Sequence, residues 1–366
     1  MRRALRLAAK GFTPPNPMVG CVIVKDGVLV GEGYHPFAGQ PHAEVFALRA
    51  AGERARGATV LVTLEPCYHW GRTPPCTDAL IAAGVARVIV GTRDIDDEKR
   101  GRGSEILQEA GVAVEVGILE NQARAVNEAF FHFHECGTPF VTVKAAMTLD
   151  GKIASHTGAS RWITGEAART HVHRLRAQSG AVMVGVNTLL ADDARLDARL
   201  PGTVLPRQPL RIIVDSGLRT PCTAAAVRLA RQSPGEAPLL IATTEGADAG
   251  RAAALSEQGV EILRLPCGPD ERVDLAALMR SLAARGIISV LAEGGGELNA
   301  SLLKAGLAHR VLFFVAPTLL GGRTAPTPVE GDGLSSPGVA IRVDELKARR
   351  YGQDFALSGR IRATRP

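Results

Sequence analysis

Aromatic residues are scarce in this chain of 366 residues: two Trp, three Tyr and ten Phe, 4% of the total. A nucleic-acid surface that interleaves basic and aromatic side chains is therefore not written into it, and no Lys/Arg-rich run supplies one by charge alone. Cysteines number six and are scattered, too sparse for the disulfide framework of a small secreted domain. No stretch of about 18 apolar residues runs without a charge, so nothing reads as a membrane-spanning helix. The stretch Met1-Arg2-Arg3-Ala4-Leu5-Arg6-Leu7-Ala8-Ala9-Lys10 is basic, but Lys10 and Gly11 cut its apolar part short. An amphipathic helix explains it better than a signal peptide, and a cytoplasmic location is expected.

What remains is a globular composition. The 366 residues exceed one ordinary core, so two domains are expected. Net charge is +6: residues 1–138 carry 15 basic and 16 acidic side chains, the remainder 28 and 21. The second part's excess suits a phosphorylated small molecule, while the first part has no electrostatic footprint for nucleic acid. In the first third, β-rich runs alternate with helical ones: a hairpin over 20–30, helices over 43–51 and 77–83, and strands over 59–64, 85–91 and 112–116. A helix over 121–133 leads to Glu135-Cys136-Gly137-Thr138-Pro139, which has the composition of a boundary. Domains of 1–138 and 139–366 follow. Strands over 140–146, 181–185, 210–215, 238–242 and 287–292, several separated by helical segments, predict a second, mostly parallel α/β sheet with its ligand at the carboxyl ends of the strands.

Pro41-His42-Ala43-Glu44 opens an apolar helix, and the strand over 59–64 runs into Glu65-Pro66-Cys67-Tyr68-His69-Trp70-Gly71-Arg72-Thr73-Pro74-Pro75-Cys76. One imidazole and two thiolates give zinc three ligands and leave its fourth tetrahedral position to water, the arrangement of a catalytic site. Helix starts, with their N–H groups and partial positive charge, favour the thiolate at Cys67 and Cys76. Zinc brings the pKa of bound water to roughly neutral, and Glu44, two residues past the histidine, is placed to carry protons. His42, Cys67 and Cys76 are thus the expected ligands and Glu44 the catalytic acid and base. The His-x-Glu plus Pro-Cys pattern is that of zinc deaminases, which remove an amine from a nucleobase-like ring. In the blander reading His42 caps a helix and the cysteines are inert core. His69 is either a surplus ligand or a contact of its Gly-Arg-Thr-Pro-Pro loop.

Cytidine-type deaminases usually hold their two cysteines in Cys-x-x-Cys, whereas eight residues separate Cys67 from Cys76. Pro-Cys-x-His-x-Gly-Arg-Thr-Pro-Pro-Cys, with Thr13-Pro14-Pro15-Asn16-Pro17-Met18-Val19-Gly20 and Gly31-Glu32-Gly33-Tyr34-His35-Pro36-Phe37-Ala38-Gly39-Gln40, resembles the bifunctional riboflavin-biosynthesis deaminase/reductase family over nearly the whole chain. The resemblance implies a cytidine-deaminase-like layered α/β domain followed by a dihydrofolate-reductase-like α/β domain. It also implies Zn2+ and NADPH as cofactors and 2,5-diamino-6-ribosylamino-4(3H)-pyrimidinone 5′-phosphate as substrate, with Asn16 against the ring. Read without it, Asn16 between prolines is equally a turn residue. One departure stands out. Where the family runs Asp-Pro-Asn-Pro before a Gly-x-Gly, this chain has Asp94-Ile95-Asp96-Asp97 and then Gly101-Arg102-Gly103, in a loop expected to border the deaminase pocket.

In the second part, Lys144-Ala145-Ala146-Met147-Thr148-Leu149-Asp150-Gly151-Lys152-Ile153-Ala154 and Ser160-Arg161-Trp162-Ile163-Thr164 resemble the reductase half of the same family, with Thr148 where Ser is usual. Thr188-Leu189-Leu190-Ala191-Asp192-Asp193-Ala194-Arg195-Leu196 follows the family's pattern except that Ala194 replaces proline. The strand over 287–292 runs into Glu293-Gly294-Gly295-Gly296-Glu297; alone, such glycines either admit a phosphate or simply pack a turn. The resemblance implies NADPH bound by Ala146, Trp162, Thr188, Asp192 and the segment Gly295, Gly296, Glu297, Leu298, Asn299, Ala300 and Ser301. It places Ser160, Arg176, Leu196, Arg199 and Glu293 against the ribosyl phosphate substrate. Arg176 and Arg199 suit bidentate phosphate contact, although an exposed helix arginine is the commoner state. His171 and His173, two apart on a predicted helix, do not share a face and are expected to be solvated. A homo-oligomer is a family expectation. Two readings compete with this one: a paralogue with only one active domain or a modified pyrimidine substrate, motivated by the 94–97 departure, and an RNA-editing deaminase, which the balanced charge of 1–138 argues against.

Overall fold

The computed structural model describes residues 1–71, 73–95, 101–268 and 270–362; Arg72, Asp96 and Asp97 of the loops quoted above lie outside them. The chain divides into two compact units, Met1–Gly137 and Thr138–Pro366. Among the described residues no helix is long and apolar enough to cross a membrane.

In the first unit, strands β1 (Gly20–Lys25) and β2 (Val28–Tyr34) form a hairpin whose turn residues Asp26 and Gly27 have φ of +51° and +75°. That left-handed pair is what a type I′ turn requires, and Asp-Gly supplies it. Strand β3 (Thr59–Leu64) joins β1 antiparallel, and β4 (Arg87–Thr92) and β5 (Ala113–Val116) continue in parallel, giving the order β2-β1-β3-β4-β5. Helices α1 (Arg2–Ala8), α2 (Ala43–Ala51), α3 (Cys76–Ala82) and α4 (Arg102–Glu109) belong to the same unit. Ile23, Val60, Val62, Val88 and Val90 pack with Ala43, Ala47, Leu80 and Leu107 in one core. A Cβ at Gly33 would lie 2.6 Å from the Ala43 carbonyl oxygen. Only glycine allows α2 to settle so closely on β2, and this brings the start of α2, with His42 and Glu44, down onto the sheet.

The helix expected over 121–133 is two helices, α5 (Glu120–Val126) and α6 (Glu128–Cys136), broken at Asn127. Asn127 is buried and brackets Met18: its Oδ1 accepts from the Met18 N–H at 2.7 Å and its Nδ2 donates to the Met18 carbonyl at 2.9 Å. A two-point bond to a residue 109 positions away outweighs the local helical pattern.

The second unit is built on a nine-stranded sheet in the order β10-β9-β8-β7-β11-β6-β12-β14-β13. Its strands are β6 (Phe140–Thr148), β7 (Ala181–Gly185), β8 (Leu210–Val214), β9 (Leu239–Thr244), β10 (Glu261–Leu265), β11 (Ser289–Ala292), β12 (Arg310–Ala316), β13 (Val343–Tyr351) and β14 (Asp354–Ile361). Pairing is parallel from β10 to β12 and antiparallel at the β14-β13 edge. Helices α7 (Glu166–Gln178), α8 (Val186–Asp192), α9 (Ala225–Gln232), α10 (Ala249–Ser256), α11 (Leu275–Ala284) and α12 (Gly296–Lys304) complete it. Met183, Ile212 and Leu240 feed one core while Val182, Ile213 and Ile241, their neighbours in sequence, feed another. Both faces are therefore covered, as parallel strands require. The mostly parallel α/β sheet was expected; β10, β12, β13 and β14 were not. The edge strand β13 is largely exposed and charged, without the apolar run that marks a buried strand.

Removing the Asn127 amide leaves both backbone groups of Met18 without that side-chain partner. Asn127→Ala is expected to destabilise the first unit by about 1–3 kcal/mol in urea unfolding. A midpoint equal to that of the parent would show that the α5–α6 break is a consequence of packing and does no bracing.

Candidate functional sites

His42 is the N-cap of α2, Cys76 is the first residue of α3, and Cys67 lies in the loop that follows β3. His42 Nδ1 is 3.5 Å from Cys67 Sγ and 3.3 Å from Cys76 Sγ, and the three ligand atoms all lie within 4.8 Å of one another. A tetrahedral zinc with bonds of ~2.3 Å to sulfur and ~2.0 Å to nitrogen separates N from S by about 3.5 Å. The donor set therefore fits that ion, with Nδ1 as the nitrogen facing it. Two of the three donors stand at helix starts as expected, but Cys67 does not. Its anionic form is favoured instead by the Cys76 thiol, which holds Cys67 down to about 4, and by the His42 ring and the Cys76 N–H. The same sharing, with burial, pushes the Cys76 thiol up. Two sulfurs dividing one proton beside an imidazole nitrogen form a set that a dication completes by replacing the proton. His69 is exposed and outside the cluster.

Glu44, in the first turn of α2, is 3% exposed, and its Oε2 has no partner among the described residues. Burial, and then the Cys67 sulfur, push its carboxyl up to about 7. Such a group holds or releases a proton near neutral pH. Asn16 Nδ2 lies 3.3 Å from His35 Nε2, and His35 Nδ1 lies 3.2 Å from the Pro41 carbonyl. A carbonyl only accepts, so Nδ1 carries the hydrogen, Nε2 accepts, and the Asn16 amide donates to it. Asn16 Oδ1 is thereby turned to serve as an acceptor. Burial lowers the pKa of His35 and keeps it neutral for this task. Sequence reasoning gave His35 no role, although it lies within the Gly-Tyr-His-Pro stretch.

The loop carrying Cys67 is anchored by its neighbour Glu65, which is buried with both carboxylate oxygens engaged. Oε1 accepts from the Ser104 N–H at 3.0 Å and from the Ser104 hydroxyl; Oε2 accepts from the N–H of Gly101 at 2.9 Å and of Asp94 at 3.2 Å. A Cβ on Gly103 would lie 2.1 Å from the Pro66 carbonyl oxygen. The Gly-Arg-Gly after the departing loop is thus the seat of the metal-ligand turn. Gly103→Ala is expected to displace Pro66 and Cys67 and to weaken zinc binding about 10- to 100-fold in competition with a chromophoric chelator. Parent-like zinc affinity would mean that the seat yields without moving the ligand.

At the carboxyl ends of β6, β11, β7 and β8 the second unit opens a cavity of about 1370 Å³. Ligand pockets usually measure ~300–1,000 Å³, so this one has room for a dinucleotide and a second molecule. Every residue expected at this site lines it except Asn299 and Ala300. Asn299 is fully buried with its Nδ2 donating to the Pro328 carbonyl at 2.8 Å, and the Ala300 Cβ is 3.6 Å from where a Cβ on Gly331 would sit. Both hold the 327–331 segment on α12, because the helix turns those positions away from the cavity. A Cβ on Gly294 would lie 2.8 Å from Leu298, and one on Gly296 2.5 Å from the Thr327 carbonyl, so these glycines serve packing. The Gly295 N–H donates to Thr188 Oγ1 at 2.8 Å. No side chain caps α12, whose first turn lines the cavity and carries Glu297; a helix start of this kind leaves N–H groups that can receive an anion.

Trp162 is 70% exposed with the Arg169 guanidinium 4.6 Å from its ring centroid, and the Ser160 hydroxyl donates to the Asp192 carboxylate. Arg176 turns its two-pronged edge to Glu293, with Nε 2.6 Å from Oε1 and Nη2 3.0 Å from Oε2, while Nη1 donates to the Asp197 carbonyl. Lys144 Nζ is 3.3 Å from the same carboxylate. The bidentate phosphate contact expected of Arg176 is therefore occupied by Glu293. Arg199 remains more than half exposed, its Nε 3.5 Å from Asp197 Oδ1. His171 and His173 are half-buried and not solvated as expected. His171 stacks on Tyr351 at 4.5 Å and burial lowers it to about 4, and His173 Nδ1 accepts from the Arg199 N–H. Lys144 and His173 on the cavity wall went unassigned in the sequence because nothing local marks them.

Residues 139–357 match the family model of the RibD C-terminal domain, and residues 1–92 that of the cytidine and deoxycytidylate deaminase zinc-binding region. The chain belongs to the RibD family. It is 44% identical to the riboflavin biosynthesis protein RibD of Actinobacillus pleuropneumoniae over 98% of this chain and 93% of the relative, and 42% identical to that of Aquifex aeolicus over 98% and 96%. Acinetobacter baumannii RibD superposes with a TM-score of 0.84 at 40% identity, covering 99% of this chain and 97% of that one. A diaminohydroxyphosphoribosylaminopyrimidine deaminase/5-amino-6-(5-phosphoribosylamino)uracil reductase from Thermotoga maritima gives 0.81 at 34% identity with the same coverage.

In this RibD-family chain the Glu293 cluster also fixes a pH dependence. Burial alone would raise the Glu293 carboxyl, but Arg176 and Lys144 outweigh it and hold it at about 2, below its ordinary 4.5. The unfolded chain therefore binds the extra proton between those values, so the cluster's contribution is complete above pH 4.5 and is lost as pH falls toward 2. The loss amounts to about 3 kcal/mol. Glu293→Gln is expected to destabilise the second unit by about 3–5 kcal/mol at pH 7 and to flatten its unfolding free energy between pH 4.5 and 2. An unchanged pH slope would assign the acid sensitivity to another carboxylate.

Proposed function

We propose that residues 1–138 form the deaminase and 139–366 the reductase of a bifunctional riboflavin-biosynthesis enzyme. The first replaces the ring amine of 2,5-diamino-6-ribosylamino-4(3H)-pyrimidinone 5′-phosphate by oxygen, and the second reduces the ribosyl group to ribityl. The observation that carries this reading is the pairing, on one chain, of an N/S/S donor set beside a buried carboxyl with a dinucleotide-sized cavity. Similarity over the full length to a Thermotoga maritima protein bearing these two activities in its name supports it. Zn2+ and NADPH are the cofactors. The near balance of charge over 1–138 speaks for a small-molecule substrate and against nucleic acid. Six unbridged cysteines, three of them exposed, fit a reducing cytoplasm, and exposed Leu346 and Phe355 on β13 and β14 fit a homo-oligomer.

His42, Cys67 and Cys76 would hold the zinc, which when bound would supply a water acidified to near neutrality. Glu44 is the residue that would move protons: its carboxylate would accept one from the attacking water, pass it to the ring nitrogen as C–O forms, and protonate the departing amine as C–N breaks and ammonia leaves. Asn16 Oδ1, set by His35, accepts from a ring N–H and orients the carbon that is attacked. In the second unit NADPH supplies the hydride, so the chain's task is alignment more than acid–base chemistry. Trp162 offers a flat face, Thr188 fixes the Gly295 turn, the start of α12 would hold the pyrophosphate, and Arg199 and Ser160 would face the ribosyl phosphate.

Mass spectrometry of products from zinc-loaded protein and the diaminopyrimidine ribosyl phosphate tests both halves. Ammonia loss without NADPH, followed by gain of two hydrogens with it, is expected; no deamination from a metal-replete chain would sink the substrate assignment. Glu44→Gln should lower deamination by about 10²- to 10⁴-fold while zinc content and reduction of the deaminated intermediate stay unchanged. A variant that lost its zinc instead would place Glu44 among the metal's supports.

A further inference from the structure

The stretch that carries Leu196 and Arg199, residues 193–199, has no regular secondary structure. Backbone groups outside a helix or sheet still need partners, and here side chains from neighbouring elements supply them. From β8, Arg211 Nη1 donates to the Arg195 carbonyl at 3.1 Å. From α7, Arg176 Nη1 donates to the Asp197 carbonyl at 3.0 Å, and His173 Nδ1 accepts from the Arg199 N–H at 3.2 Å. Between these, Gln208 takes both backbone groups of Ala198: its Oε1 accepts from the N–H at 2.7 Å and its Nε2 donates to the carbonyl at 3.0 Å. Leu196, buried in the same stretch, stands at φ +61°, a left-handed conformation that a bulky side chain keeps only where its surroundings impose it.

The Gln208 bracket also closes a loop. Ala198 and Gln208, ten positions apart, are its two feet, and Pro201, Gly202, Thr203 and Val204 are exposed between them. Arg199 is the first residue of that loop. A loop left open at its neck spreads its freedom over all its residues, whereas one closed at the neck confines it to the tip. Gln208 stands two residues before β8, so the bracket ties the foot that carries Arg199 to the parallel sheet. The Arg199 side chain needs this support: it is more than half exposed, and its Nε lies 3.5 Å from Asp197 Oδ1, too far for a strong hydrogen bond to fix its direction. Arg195, Leu196 and Arg199 line the cavity and Gln208 does not, so Gln208 reaches a ligand only through the segment it clamps.

We propose that Gln208 is a positioning residue of the reductase site: by clamping both backbone groups of Ala198 it sets the next residue, Arg199, in the direction from which its guanidinium meets the substrate's phosphate. That phosphate lies at the opposite end of the ribosyl chain from the carbon that is reduced, so the contact is made equally before and during hydride transfer. Its loss weakens binding and leaves the chemical step as it was. This rests on the reading of the second unit as a reductase whose Arg199 faces the ribosyl phosphate.

Steady-state reduction of the deaminated intermediate by NADPH, measured on the full chain, tests it. Gln208→Met, which keeps the length and loses both hydrogen bonds, should raise KM for the intermediate about 10-fold, while kcat and the KM for NADPH stay within about twofold. Arg199→Ala should raise the same KM about 10- to 100-fold, and the double variant should match Arg199→Ala alone, because a bracket that acts through Arg199 then has nothing left to position. A bracket that only holds the unit together would move kcat or NADPH binding as well, or would add its loss in full to that of Arg199→Ala. Any of these results overturns the assignment, as does a Gln208→Met chain with the parent's KM. A parent chain that does not reduce the intermediate, or an Arg199→Ala chain with the parent's KM, overturns instead the reading of the second unit on which the assignment rests.

Discussion

A carboxylate taken out of water must find donors, and this chain collects them where its parallel strands end. Glu65 follows β3 and accepts from three backbone N–H groups and a hydroxyl. Asp215 follows β8 and closes the next turn through Thr220. Glu293 follows β11 and takes two cations. Each fixes the segment around its strand end, and with it a ligand-facing group: Cys67, Arg219, or the Arg176 and Lys144 pair. Glu44 breaks the pattern. Its Oε2 meets no donor among the described residues, and its proton affinity has risen to about 7. Glu65 and Glu293, with both oxygens engaged, hold shape; Asp215 keeps its Oδ1 without a partner among the described residues, as Glu44 does its Oε2, and Glu44 is the one placed beside the metal ligands to move a proton.

Close backbone approach is the second constraint. Gly33 lets α2 lie on β2, Gly103 seats the Glu65-Pro66-Cys67 turn, and Gly296 admits the Thr327 carbonyl against α12. In sequence all three look like ordinary punctuation. The Gly294-Gly295-Gly296 run had been equally open to phosphate contact or packing, and the structure divides it. The outer two glycines make room for side chains and backbone of their own unit, while the middle one bonds Thr188. Any anion-binding capacity on that wall rests on the uncapped helix start and not on the glycines as such.

What the sequence made legible is local in kind. His42, Glu44, Cys67 and Cys76 carry a donor chemistry so restrictive that their spacing alone predicted a cluster, and the structure brings the three ligand atoms within 4.8 Å. The Asp-Gly turn and the apolar runs of β3, β4 and β7 are local signals too. What stayed hidden depends on partners far along the chain. Asn127 breaks a helix for the sake of Met18, Glu65 seats a loop through Gly101 and Ser104, and His35 aims Asn16 only because the Pro41 carbonyl fixes its tautomer. The edge strand β13 escaped for a different reason: an exposed edge needs no apolar alternation, so its residues carry no period to read.

Charge shows the same limit. The excess of basic residues beyond 138 pointed toward a phosphorylated ligand, yet most of the cations that line the cavity are neutralised by Glu293, Asp197, Asp270 or Glu297. A guanidinium whose paired edge already meets a buried carboxylate has its geometry settled before any ligand arrives, and withdrawing it would leave a buried charge alone. Arg176 is in that position, and it holds Glu293 ionised and in place. The cavity cations with no carboxylate partner among the described residues are Arg161, Arg169, Arg219 and Lys304, and Arg199 is exposed and only distantly paired. The charge available to an anionic ligand in this unit therefore depends on which cations lack a partner and not on how many there are.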